Sequence, residues 1–202
     1  YFCWKSVILK LLIIDNYDSF VYNLVQLVEE VGVTDYAIRK NDDLLSIIPD
    51  DFDKVLISPG PGIASEAGHL IPFIRKYFQT KTILGICLGH EAIGEVFGSE
   101  IKQLPEPLHG NQNIGTIVDQ HYVFDALPNK LKIGHYHSWI ITEEDLNPDF
   151  NVLMYDENQL VMAYYHKQYD LTGLMFHPES IMTEYGFEMM RNWINQSSFL
   201  GS

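Results

Sequence analysis

Basic residues are scarce in this chain: 13 Lys and Arg stand against 27 Asp and Glu, leaving a formal charge of −14. Such a surface repels phosphate backbones and anionic membranes, so neither nucleic acid nor a membrane is expected as a partner. Long apolar runs are also missing. The longest candidate, VILKLLIID, is interrupted by Lys10 and falls short of the roughly 18 to 20 residues that span a bilayer. Cysteine is almost absent: Cys3 and Cys87 form no CxxC pair and no disulfide framework, which fits a reducing cytoplasm better than a secreted scaffold. The opening YFCWKSVILK lacks the small-residue cleavage site of a signal peptide, and a cytoplasmic location is expected.

What is present belongs to a folded domain. The hydrophobic fraction is 47% and the charged fraction 20%, and 202 residues suit a single core. LLIID (11–15) is a buried-strand run, and DSFVYNLVQLVEEVG then spaces Phe20, Leu24, Leu27, Val28 and Val31 as one face of a helix that stops at Gly32. YAIRK (36–40) and KVLISPGPG (54–62) supply further strands. SEAGHLIPFIRKYF (65–78) reads as a helix capped by Ser65, and TILGICLGHEAIGEVFG as a strand entering a helix.

This βαβαβα alternation predicts an α/β fold: a single domain with a mostly parallel open sheet flanked by helices, its ligands beyond the carboxyl ends of the strands. From about residue 101 the runs shorten and are joined by Pro, Asn and Asp turns, so mixed and antiparallel strands are expected in the C-terminal half. A last helix is expected over 183–196.

Chemistry concentrates at Cys87. ILGIC is an apolar strand, LGH a turn and EAIGEVF a helix, the layout of a nucleophile elbow that lifts the side chain from the sheet. The helix N-terminus would lower the thiol pKa, and the Leu88 amide would point where an oxyanion forms. An inert buried cysteine is the alternative on composition alone, but small residues on both sides of the turn are a poor choice for packing. MFHPES (175–180) offers a base and its orienter, since Pro178 holds His177 extended and allows Glu179 to share its side of the chain.

SPGPG (58–62) closes a strand and is either a tight turn or a set of amides for an oxyanion; it matches neither GxGxxG nor a phosphate loop. HYH (135–137) places two imidazoles on one strand face, yet no complementary ligands stand at metal-site spacing, and no metal is expected.

Together DNYDSFVYNL, ISPGPG, GICLGHEAIGEVFG, LHG, YHSW and FHPESIMTEYG resemble a class I glutamine amidotransferase, close to the glutaminase subunits of anthranilate synthase (component II) and aminodeoxychorismate synthase. The resemblance covers residues 11–196 as the amidotransferase domain and leaves 1–10 as an N-terminal extension and 197–202 as a tail. It implies that Cys87 attacks the side-chain amide of L-glutamine, with His177 and Glu179 completing the triad. The amides of Gly60 and Leu88 would form the oxyanion hole. Gly60, Pro61, Gly62 and Glu91 would line the pocket, and the backbone at Ser138 and Trp139 would hold the substrate's α-substituents.

It further implies a hetero-oligomer in which a chorismate-binding synthase subunit takes the ammonia, making anthranilate for tryptophan or aminodeoxychorismate for folate. No cofactor is implied in this subunit; Mg²⁺ is implied only in the partner. Two departures stand out. Ala64 replaces a proline after the glycine turn, and Glu91 replaces the glutamine that helps grip the substrate. A cysteine hydrolase or peptidase on a similar scaffold is a second reading, opposed by HPES and YHSW. A catalytically degenerate binding subunit is a third, to which Glu91 alone lends weight.

Overall fold

The computed structural model describes residues 9–47 and 51–196. Cys3, most of the expected N-terminal extension and the tail 197–202 lie outside the described residues. The elements run β1 (Lys10–Asp15), α1 (Val21–Val31), β2 (Asp35–Lys40), β3 (Lys54–Ile57), α2 (Leu70–Tyr77), β4 (Thr82–Ile86) and α3 (Leu88–Val96), then β5 (Lys102–Ile117), β6 (Lys130–Ile140), β7 (Phe150–Tyr155), β8 (Val161–His166), β9 (Leu171–Leu174) and α4 (Gly186–Asn195). The strands form one sheet in the order β2-β1-β3-β4-β9-β8-β7-β5-β6.

Strands β2, β1, β3, β4 and β9 are parallel, whereas β8, β7, β5 and β6 join antiparallel. Within the parallel part β1, β3, β4 and β9 are buried on both faces, as helix-covered strands must be, while β2 is a partly exposed edge strand. Alternate residues of β1 feed two cores. Leu11 and Ile13 pack with Leu24 and Val28 of α1 and Met190 and Trp193 of α4, while Leu12 and Ile14 pack with Leu70 and Ile74 of α2 and Ala92 and Ile93 of α3. No helix among the described residues is long and apolar enough to cross a membrane.

Most sequence boundaries hold within a few residues, and the misses have identifiable causes. Ser65 does not cap α2. Residues Ala64–Glu66 close a separate 3₁₀ turn, and the chain restarts as α2 after His69, whose amide donates to the Asn41 carbonyl at 3.1 Å. Phe20 is not part of the buried face of α1; it is the residue just before the helix, half-buried and turned to a different neighbour described below. β5 ends at Ile117, Tyr122–Phe124 form a 3₁₀ turn, and α4 starts only at Gly186 rather than at 183. LGH is already the first turn of α3 rather than a loop before it.

The start of α4 is pressed against the backbone of Pro178, where any Cβ on Gly186 would overlap the Pro178 carbonyl oxygen. Gly186→Ala is therefore expected to destabilise the fold by about 1–3 kcal/mol, the cost of overpacking a filled site. Thermal unfolding of the two proteins checks it, and an unchanged midpoint would count against the tight seat.

Candidate active site

The parallel strands end on one side, and the site is built there. Cys87 follows directly on β4 and immediately precedes α3, with φ 51° and ψ −102°. L-residues avoid that region, and such an outlier costs about 1–3 kcal/mol unless the surroundings impose it. They do impose it: the Cys87 amide donates to the Leu174 carbonyl at 2.8 Å, extending the β4–β9 ladder, while its carbonyl accepts from the Glu91 amide at 3.0 Å as the first bond of α3.

That same ladder delivers the base. His177 follows β9 by three residues, and its own amide donates to the Gly134 carbonyl at 3.3 Å, anchoring the loop to β6. Its Nδ1 lies 2.7 Å from Glu179 Oε1, with both side chains buried. A carboxylate at Nδ1 fixes the proton there and leaves Nε2 as the acceptor. Among the described residues no group bonds to Nε2, which leaves this nitrogen open to accept a proton.

The thiol does not behave as the helix N-terminus suggested. Burial pushes the Cys87 pKa well above its ordinary value, the Glu91 and Glu179 carboxylates push it further, and only the Leu88 amide pulls it down. Desolvation outweighs the helix end, so the resting group is a thiol and a thiolate would have to be made by proton transfer to a base.

Of the remaining expected residues, Gly60 is the one whose neighbours place it beside the elbow. A Cβ at Gly60 would stand 2.5 Å from Leu88 Cδ2 and 2.6 Å from Asn16 Cβ, so the SPGPG turn lies against the first residue of α3. Gly60 is half-exposed, and Pro61 and Gly62 are open to solvent. Ser138 and Trp139 lie half-buried at the end of β6; Ser138 Oγ meets His109 Nε2 at 3.2 Å, and the Trp139 carbonyl meets His137 Nδ1 at 3.0 Å. His135 and His137 share a face as their spacing requires, and bond to one another at 3.0 Å.

Glu91 is buried in the first turn of α3, and its Oε2 has no hydrogen-bond partner among the described residues. Burial, with Glu95 adding to it, pushes its pKa up to about 8, so near neutral pH the carboxyl largely keeps its proton. A protonated carboxyl donates and accepts, as an amide does.

Sequence reasoning missed three contributors. Asn16 ties the SPGPG turn to the β1–α1 loop, its amide donating to Ser58 Oγ at 3.0 Å and its Nδ2 to the Ser58 carbonyl at 2.8 Å. Phe20 and Tyr136 pack their rings on the His177 imidazole, at 5.3 and 4.9 Å between centroids, and on each other at 5.0 Å. Periodicity assigned Phe20 to the helix core; its place just before α1 was the available signal that it faces elsewhere.

The family model for glutamine amidotransferase class-I matches residues 12–196. The chain is 41% identical to anthranilate synthase component 2 of Lactococcus lactis, covering 92% of this chain and 94% of that protein. It is 37% identical to aminodeoxychorismate synthase component 2 of Escherichia coli, covering 92% and 100%. Among solved structures, a Thermoplasma acidophilum protein aligns with a TM-score of 0.81 at 28% identity over 92% of both chains. A Thermotoga maritima glutamine amidotransferase aligns at 0.66 and 18% identity over 85% of this chain and 76% of that one, a likeness of fold.

Proposed function

Because this chain belongs to the class I glutamine amidotransferases, we propose that it hydrolyses L-glutamine at Cys87 and hands the ammonia to a synthase subunit that aminates chorismate. The observation that carries the reading is a cysteine on a forced backbone together with a histidine whose Nδ1 is held by a carboxylate and whose Nε2 meets no partner among the described residues.

The thiol proton passes from Sγ to His177 Nε2 as Sγ bonds to the amide carbon of glutamine. The amides of Gly60 and Leu88 receive the oxyanion. His177 then returns the proton to the amide nitrogen, the C–N bond breaks, and ammonia leaves a glutamyl thioester. Water attacks the thioester with His177 as base, releasing glutamate and restoring the thiol. Glu179 accepts from Nδ1 and holds the ring in the productive tautomer. Pro61 and Gly62 shape the mouth of the pocket, and the backbone at Ser138 and Trp139 takes the substrate's α-substituents. No cofactor is needed for these steps, and any Mg²⁺ that the amination requires belongs to the partner in this reading.

We assign anthranilate as the product, the name carried by the Lactococcus relative; the Escherichia relative supports aminodeoxychorismate as the second reading. Reconstitution with candidate synthase subunits, glutamine, chorismate and Mg²⁺, followed by chromatographic identification of the product, decides between them. Free ammonia with neither aromatic amine would overturn the pairing with chorismate.

A further inference from the structure

A chain of four hydrogen bonds runs from the Trp139 carbonyl to Asp156 in the β7–β8 turn. His137 Nδ1 meets that carbonyl at 3.0 Å, His137 Nε2 meets His135 Nδ1 at 3.0 Å, and His135 Nε2 meets Asn113 Oδ1 at 2.6 Å. Asn113 Nδ2 then donates to Asp156 Oδ2 at 2.9 Å. His135, His137 and Asp156 are all buried, where an unmade bond costs most.

The direction of each bond follows from the ends of the chain. Asp156 Oδ1 accepts from the Asn158 and Leu160 amides at 2.9 and 2.8 Å, and Oδ2 accepts from Asn158 Nδ2 at 3.2 Å, so this side chain acts as an acceptor. Asn113 therefore turns its NH₂ toward Asp156 and its oxygen toward His135. That oxygen requires a proton on His135 Nε2. The Trp139 carbonyl requires one on His137 Nδ1, and the bond between the rings requires a third. Two neutral imidazoles carry two protons, and this chain needs three.

Burial opposes the third proton. It lowers the pKa of both rings, that of His137 to about 4, and His177 lowers both further, while Asp156 raises both. His90 of α3 also faces His137, but burial holds its own pKa at about 3, so it brings no charge. Two bare acceptors 2.6 Å apart would repel, so the hydrogen bonds hold the proton against burial, and it leaves as pH rises.

We propose that Asn113, His135 and Asp156 are positioning residues for glutamine: through His137 they fix the Trp139 backbone, and they do so only while the two rings share one proton beyond their neutral complement. The role at the substrate rests on the reading above, in which the backbone at Ser138 and Trp139 takes the α-substituents. Loss of the proton breaks one link and loosens the Trp139 carbonyl, so the effect falls on KM rather than kcat.

Asp156→Asn tests this directly. Its added NH₂ supplies the missing donor: Asn113 turns over, donates to His135 Nε2, and all four links close with two neutral rings. Glutamate release is measured from pH 5 to 9 with the synthase subunit that yields product in the reconstitution. The ratio of wild-type KM to Asp156→Asn KM is expected to rise about fivefold or more across that range, with the two kcat values within about twofold. His135→Phe, which removes both ring links, is expected to show the raised KM at every pH. A ratio that stays flat, or a wild-type KM in His135→Phe, overturns the role at the substrate.

The proton is also read without activity, from ¹⁵N shifts of the histidine rings in the resting protein, assigned by the signals lost in His135→Phe. Three protonated nitrogens on the pair at the acid end, falling to two as pH rises, are expected in the wild type, and two throughout in Asp156→Asn. A constant number in the wild type overturns the shared proton. If no glutamate is released even with the subunit bound, but the third proton is seen and lost with pH, the hydrolytic reading fails and the proton-holding chain stands.

Discussion

Cys87→Gly is expected to abolish glutamine hydrolysis, by on the order of 10³-fold or more, without the stability loss that usually follows deletion of a buried side chain. The loss of activity follows from removal of the sulfur that forms the thioester in the proposed reaction. The stability argument comes from the backbone: φ 51° with ψ −102° is held by the bond from the Cys87 amide to Leu174 on one side and by the first α3 bond on the other. Glycine adopts that conformation freely and recovers about 1–3 kcal/mol, which offsets the burial lost with a small side chain. Cys87→Ala loses the thiol but keeps the strain. Thermal unfolding should therefore rank Cys87→Gly above Cys87→Ala, with glutamate release absent in both. The reverse order would show that the elbow is not strained.

Glu91→Gln is expected to change the alkaline limb of activity. The Glu91 carboxyl, pushed up to about 8, is mainly protonated at pH 7 and mainly ionised at pH 9. Ionisation removes its donor and adds negative charge beside a thiol that Glu91 already pushes upward. The variant should match or exceed the wild type at pH 7, and the ratio of variant to wild-type turnover should rise by about tenfold by pH 9. A ratio that stays flat with pH would show that Glu91 is not ionising in this range.

Stability carries the same signature. A carboxyl whose folded pKa is raised contributes its full stability below about pH 4.5, where both states hold the proton. From there the unfolded chain ionises first, so stability falls as pH rises toward about 8, by a few kcal/mol, and then levels off. Glu91→Gln should lack that slope in denaturant titrations run from pH 5 to 9.

These two positions show how far the sequence reaches. GICLGHEAIG displayed the elbow because its signal is local: an apolar strand, a small-residue turn and a helical period in adjacent residues. The triad pair was legible because Pro178 constrains its neighbour and sets Glu179 beside His177. The helix over 65–78 was misjudged at its start, since Ser65 is a good cap in isolation but the His69 amide is claimed by Asn41 from a distant turn. Phe20 was misassigned for the same reason; helical spacing placed it in a core, and its packing on Tyr136 and His177 depends on strands far away in the chain.

By itself the sequence determined the α/β class, the parallel and then mixed strand order in outline, the elbow at Cys87 and the contact between His177 and Glu179, because dihedral preference and hydrophobic period act over neighbouring residues. Only the tertiary structure decided that the β4–β9 ladder carries His177 to Cys87, that the thiol rests protonated and that Glu91 keeps its proton near neutrality. Those outcomes depend on which backbones pair and how much water is excluded, and desolvation is set by every atom packed around a group rather than by its neighbours along the chain.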